Sequence, residues 1–336
     1  MLFPSAFSVL FTASSLVYLT SLVLAAPLPQ SARDKTVAPL SSSAIAAYSF
    51  YTNFVAATYC SVTKEWVCSA CELIPGFVPF ALGGDGGAVP YWYVGWWPAG
   101  STVVVAHQGT DPLEIRALIT DAKFFPSSLS PALFPNVSSE VKVHSGFKQA
   151  QAASAPHILA AVKKVLADRN SKSVTVVGHS LGGAIAALEA VKKVLADRNS
   201  KSVTVVGHSL GGAIAALDAL YLKLNLPSNI AVKGVTYGQP RVGNPEFANW
   251  FDQTISDFSR VTNKKDVIPI LPGRFLGFRH SSGEKHIKSK GKWYACEGQD
   301  NTSSDCSIGE VPNILKGNLI DHLGPYEDIW VGTLSC

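Results

Sequence analysis

The sequence predicts an α/β protein with a mainly parallel central sheet and helices on both faces. Three observations carry this. Helical patterns alternate with short buried runs of β-branched residues, the signature of strands joined by helical crossovers. The stretch Ser173 to Leu188, SVTVVGHSLGGAIAAL, reads as strand, sharp turn and helix. Finally, 336 residues with 47% hydrophobic and 15% charged content suffice for one large core plus a leader.

Met1 to Ala26 is almost wholly apolar, with no charged side chain before Arg33. This predicts a secretory signal peptide over 1–26, cleaved near Ala25 or Ala26. The competing reading is an uncleaved membrane anchor, since the run is long and lacks an opening Lys or Arg. Residues 27–43, rich in Pro, Ser and Ala, read as a flexible or processed leader, which leaves 44–336 as the main domain. Ser43 to Thr58 is an amphipathic helix with Ala44, Ala47, Tyr48, Tyr51 and Val55 in its apolar stripe. Tyr91–Trp97 and Thr102–Ala106 are strands around Pro98-Ala-Gly100, a hairpin signal. Leu113–Thr120 is a short amphipathic segment, and Pro126–Pro135 is loop. Val141–Val143 is a short strand, followed by a mostly helical Phe147–Arg169. Further on, Ala231–Tyr237 is a strand, Pro245–Ser256 a helix and Ser259–Asn263 a strand ending at Asp266. Phe275–Tyr294 is β-rich.

One feature is unusual. Ala161–Leu188 is repeated without change as Ala190–Leu217, an offset of 29 residues. Each copy contains a G-x-S-x-G elbow, one around Ser180 and one around Ser209. The elbow glycines remove Cβ atoms where strand and helix backbones nearly touch, so a serine can occupy the strained turn. One sheet position can hold only one nucleophile strand. The copy at Ser209 is preferred because its helix runs directly into the strand at Val232–Tyr237, towards the remaining candidates.

A nucleophilic serine needs a base, and the base an orienting acid. On α/β-hydrolase sheets these follow in the order Ser, Asp or Glu, His. Asp266 stands beyond a strand end, where such sheets carry catalytic groups. The base candidates are His322, His286 and His280 by chain order, with His107, His144 and His157 open on spacing alone.

Six cysteines, Cys60, Cys68, Cys71, Cys296, Cys306 and Cys336, behind a signal peptide favour disulfides over a metal site. Cys68-x-x-Cys71 has no second pair at zinc-ligand spacing. Asn136-Val-Ser and Asn301-Thr-Ser are glycosylation sequons. The net charge of +4 is too small and scattered to argue for nucleic acid.

Four motifs resemble the secreted fungal lipase family (class 3 lipases): Gly-His-Ser-Leu-Gly-Gly, Thr236-Tyr-Gly-Gln-Pro-Arg-Val-Gly-Asn244, Asn263-Lys-Lys-Asp266-Val-Ile-Pro269 and Asp321-His322-Leu. The resemblance runs from about Ser43 to Cys336 and implies the α/β-hydrolase fold. It also implies a triad of the elbow serine, Asp266 and His322. The implied oxyanion hole uses Thr110 and the backbone N–H of the leucine after the nucleophile, Leu210 or Leu181. In place of the family's Arg-Gly-Ser/Thr, this chain has His107-Gln108-Gly109-Thr110. The family's lid falls at Asp111–Asp121. Its disulfide pattern implies Cys60–Cys336, Cys68–Cys71 and Cys296–Cys306.

The implied activity is that of a secreted serine carboxylic ester hydrolase, foremost a triacylglycerol lipase working at a lipid–water interface. It needs no metal, organic cofactor or stable protein partner. A feruloyl-type esterase and an inactive, lipase-like lipid-binding protein are the alternatives.

Overall fold

A computed structural model describes residues 36–60, 66–83, 92–99, 102–107, 125–131, 134–145, 174–179, 202–225, 228 and 231–332. Contacts divide the chain into Met1–Asp34 and Lys35–Cys336; the first unit, with the expected signal peptide, lies outside the described residues.

The main unit is built on a ten-stranded sheet. In chain order the strands are β1 (Val37–Pro39), β2 (Val78–Gly83), β3 (Trp92–Trp97), β4 (Thr102–His107), β7 (Val174–His179), β8 (Ser202–His208), β9 (Ala231–Tyr237), β10 (Asp257–Asn263), β11 (Glu284–Ser289) and β12 (Lys292–Cys296). β5 (Pro126–Ser128) and β6 (Lys142–His144) form a separate antiparallel pair. The spatial order is β1-β12-β11-β10-β9-β8-β7-β4-β3-β2. From β4 through β7, β8, β9 and β10 to β11 every neighbour is parallel. Antiparallel pairs close both margins. The expected parallel α/β sheet is therefore the observed one.

Helix α1 (Ser42–Ala57) begins where the Ser41 side chain accepts the Ala44 N–H. It packs Phe54 and Val55 into a core shared with Tyr93, Val206, Val235, Val261, Ile287 and Trp293 from the sheet. Beyond a short α2 (Ser69–Glu72), α3 (Leu210–Asn225) leaves the elbow at the end of β8. Its buried Ala213, Ala216, Ala219 and Leu220 suit close contact with strands. α4 (Pro245–Thr254) is capped by Asn244, whose Oδ1 accepts the Phe247 N–H, with proline in the first turn. The last two helices are single turns, α5 (Ser307–Glu310) and α6 (Ile320–Leu323).

Two local expectations need correction, and one strand carried no expectation. Val37–Pro39, read as leader, is an edge strand paired with β12, and Thr36 bonds the Glu297 carboxylate. Its brevity and its proline suit an edge, where one row of backbone groups faces no partner. Val78–Gly83, which was not read as a strand, is the opposite edge; its register shifts between Pro79 and Ala81, as a proline in a ladder requires. Pro126–Ser128, read as loop, pairs with β6. The expected segments Leu113–Thr120 and Phe147–Arg169 lie outside the described residues.

The repeat has a definite outcome in the sheet. The two copies contribute β7 and β8, which lie side by side, parallel and in register, with Thr175 opposite Thr204 and His179 opposite His208. β7 also pairs with β4, with His107 opposite Gly178.

Candidate active site

Elbow geometry is present at the end of β8. Ser209 has φ 56°, the left-handed region that a non-glycine residue occupies only when its surroundings hold it there. Its N–H donates to the Tyr237 carbonyl at 2.9 Å, and its own carbonyl accepts the Gly212 N–H at 2.9 Å. A Cβ on Gly212 would stand 3.1 Å from the Gln239 Cβ, so the helix start lies tight against the end of β9 and glycine lets it come this close. Leu210 opens α3, so its N–H is among the first-turn donors without an intrahelical acceptor, at the positive end of the helix.

The chain leaves β9 at Tyr237 and turns through Gly238, φ 53°. A Cβ there would lie 2.7 Å from the His322 ring and 2.9 Å from Asp266 Oδ2. This single residue is therefore bonded through Tyr237 to the elbow and in van der Waals contact with an acid and a base. Asp266 and His322 form a buried pair, with Nδ1–H donating to Oδ2 at 2.8 Å. The other carboxylate oxygen, Oδ1, accepts the Ile268 N–H at 2.8 Å. That arrangement fixes the tautomer of His322 and leaves its Nε2 as the lone-pair nitrogen, which is buried and has no hydrogen-bond partner among the described residues.

The supporting contacts hold α6 firmly. Asn263 Nδ2 donates to the Asp321 carbonyl at 2.8 Å, and the Lys265 N–H donates to the Asp321 carboxylate at 3.2 Å. The His322 carbonyl accepts both the Tyr326 hydroxyl at 3.1 Å and His208 Nε2–H at 2.9 Å. Because Nε2 donates, His208 Nδ1 is the acceptor for the Tyr59 hydroxyl at 3.1 Å. The His208 ring stacks on that of His322 at 4.5 Å between centroids. Burial, and then the neighbouring His322, push the His208 imidazole well below its ordinary range.

Of the rival histidines, His286 is held by the Thr262 hydroxyl and the Glu310 carboxylate. His280 donates to the Pro269 carbonyl. His144 lies on the β5–β6 ribbon and His107 at the end of β4; His157 lies outside the described residues. None of the described rivals forms a buried pair with Asp266, and His322 does.

Ser180, Leu181, Thr110 and the Asp111–Asp121 segment lie outside the described residues. Cys68–Cys71 and Cys296–Cys306 are bonded. Cys60 is buried, and its expected partner Cys336 lies outside the described residues. Asn136 is exposed, whereas Asn301 is 2% exposed with Nδ2 donating to the Glu297 carbonyl and Oδ1 accepting the Ser303 N–H. Of the two sequons, only Asn136 offers its side chain to solvent. The sequence gives no role to Tyr59, Tyr326 or Arg241; Arg241 stands inside the Thr236–Asn244 motif, four residues beyond the end of β9, without its reason being visible there.

Comparison with known proteins agrees with this geometry. The model of the class 3 lipase family matches residues 104–192 and again 187–276, together more than half of the chain. A secreted mono- and diacylglycerol lipase of Malassezia globosa is 30% identical over 68% of this chain and 65% of its own length. A lipase of Rhizomucor miehei is 30% identical over 66% of this chain and 51% of its own. The chain thus spans about two-thirds or less of these relatives. Among solved structures, lipase II of Rhizopus niveus superposes with a TM-score of 0.65 at 27% identity, covering 89% of this chain and 99% of that one. A triacylglycerol lipase whose catalytic centre is described as a serine protease triad matches at the same TM-score and identity, over 89% and 100%. With the elbow, the buried acid–base pair and a mostly parallel sheet in place, the chain belongs to the class 3 lipase family.

Proposed function

We propose that the protein is a secreted serine ester hydrolase acting on acylglycerols at a lipid–water interface. In this reading Ser209 is the nucleophile, His322 the base and Asp266 its orienting acid. Ser209 Oγ attacks the ester carbonyl carbon while His322 Nε2 takes its proton. The charge that develops on the carbonyl oxygen is met by the Leu210 N–H at the start of α3. His322 then protonates the departing alcohol, leaving an acyl-enzyme, and water repeats the sequence to release the acid. Asp266 keeps Nδ1 protonated throughout and steadies the imidazolium.

The observation that carries the reading is the Asp266–His322 pair, whose Nε2 has no partner among the described residues, held through Gly238 and His208 beside the strained Ser209. Secretion is supported by the two disulfides and by the secreted relatives. The lipid preference over a soluble ferulate ester is supported by apolar side chains on the segments around the pair. Phe275 and Leu315 are each 89% exposed, and Ile314 and Ile320 are also open to solvent.

The test is hydrolysis of p-nitrophenyl butyrate, emulsified tributyrin and methyl ferulate by Ser209→Ala and Ser180→Ala. The first substitution should abolish turnover and the second leave most of it, with tributyrin the better natural-type substrate. Loss on Ser180→Ala with retention in Ser209→Ala would move the nucleophile to the first copy. Exclusive use of the ferulate would remove the lipid assignment.

A further inference from the structure

The base sits on a single helical turn, α6, whose carbonyls need donors from elsewhere. The chain runs on into Gly324-Pro325, so the Asp321 carbonyl has no N–H four residues ahead to accept. Three carbonyls of the turn are met from outside it. That of Leu323 accepts the Val331 N–H at 2.7 Å. That of His322 accepts the Tyr326 hydroxyl and His208 Nε2–H. That of Asp321 accepts the Asn263 side-chain amide at 2.8 Å.

Of these donors, Asn263 alone also belongs to the segment that presents the acid. It is the last residue of β10, in register with Ile287 of β11, and it is fully buried. Its own carbonyl accepts the Asp266 N–H at 2.9 Å, which closes the turn that carries the acid off the strand, with Lys264 at φ 44° inside it. The amide cannot be reversed, because that would set its Oδ1 against the Asp321 carbonyl oxygen.

We propose that Asn263 is a positioning residue for the acid–base pair, fixing the distance between Asp266 and His322 by holding the acid's turn through its main chain and the base's turn through its side chain. The inference deepens the reading above and rests on His322 being the base. Two further contacts join the same segments on the solvent side. The Lys265 N–H donates to the Asp321 carboxylate at 3.2 Å, and the Asn318 N–H to the Lys265 carbonyl at 2.6 Å. They keep α6 attached when the Asn263 amide is removed, so the loss falls on the aim of the imidazole and not on folding.

The test uses Asn263→Ala and Asn263→Asp in the full chain, each checked for folding by circular dichroism. The aspartate is nearly the same size and lacks the amide donor. On p-nitrophenyl butyrate, kcat and kcat/KM should fall together by about 10- to 100-fold with KM little changed, as for a reacting group displaced by up to about 1 Å. A merely structural role would lower the folded fraction and leave kcat per folded molecule at the parent's value, and that result overturns the proposal. If the alanine variant does not fold, the aspartate variant gives the same readout. A double-mutant cycle with Asp266→Asn is the second arm. If Asn263 works through the pair, adding Asn263→Ala to Asp266→Asn should change kcat by no more than about twofold. The same loss in both backgrounds overturns the proposal. Failure of the underlying reading looks different: Asp266→Asn and His322→Ala would then each keep the parent's turnover, whatever the Asn263 variants do.

Discussion

At the scale of the residue, Gly238 decides whether the acid–base pair can form. With φ 53° and only 2.7 Å available for a Cβ, it admits no side chain without displacing His322 or Asp266. Gly238→Ala should cost about 1–2 kcal/mol from the left-handed backbone alone. It should also lower kcat far more than the residual stability explains, because it pushes the base off its hydrogen bond. The comparison to make is kcat against the fraction folded, measured on one preparation; a fall in stability with kcat per folded molecule unchanged would count against this role. Asp266 and the elbow could be read directly from sequence, since a carboxylate beyond a strand end and a Gly-x-Ser-x-Gly turn are local patterns. Gly238 stood in a recognised motif, but its reason did not. Nothing in Tyr-Gly-Gln-Pro shows that a ring 84 residues further along the chain will occupy the space above the glycine.

At the scale of the element, the loop after β10 is set by Arg241. Its guanidinium pairs with Asp300 at 3.1 Å and donates to the carbonyls of Ile270 and Pro272, while its N–H donates to the Leu271 carbonyl. The side chain is 2% exposed, so removing it strands a buried carboxylate. Arg241→Ala should destabilise the fold by about 3–5 kcal/mol, the range for breaking a buried pair. Arg241→Lys should recover only part, lacking the planar fork. Urea unfolding would measure both, and a loss under about 1 kcal/mol in the alanine variant would contradict the account. In the same region burial, then Arg260 and Arg241, hold the His280 imidazole well below its ordinary range, and burial and His322 do so for His208. The unfolded chain takes up these protons near pH 6.5, whereas the folded chain refuses them. Stability is therefore full above about pH 6.5 and declines as pH falls below it. Tm should drop between pH 7.5 and pH 5, and His280→Gln, which keeps a donor for the Pro269 carbonyl, should show a smaller drop. An equal drop in parent and variant would exclude His280 as a contributor.

At the scale of the whole molecule, the repeat is the distinguishing feature. The periodic elements were legible from sequence: β9 and α4 fall within two residues of where the pattern puts them, because long apolar runs bounded by Asn, Gly and Pro leave little choice. The edges of the sheet were not, since β1 and β2 are short, carry proline and take their strand state from partners far along the chain. Nor could sequence say how two identical strand–elbow–helix units would share one sheet. That depends on pairing energies, which are the same for both copies until β9 and β4 take their sides. In the structure the two copies take different neighbours, with β8 beside β9 and β7 beside β4. The most direct measurement is the site of covalent labelling of the intact protein by a fluorophosphonate. Tryptic peptides Ser173–Lys192 and Ser202–Lys223 share the elbow but differ beyond it, so their masses tell the copies apart. The account predicts that the label is on the Ser202–Lys223 peptide, is lost in Ser209→Ala and persists in Ser180→Ala. A label confined to Ser173–Lys192, or no serine label in folded protein, would contradict it.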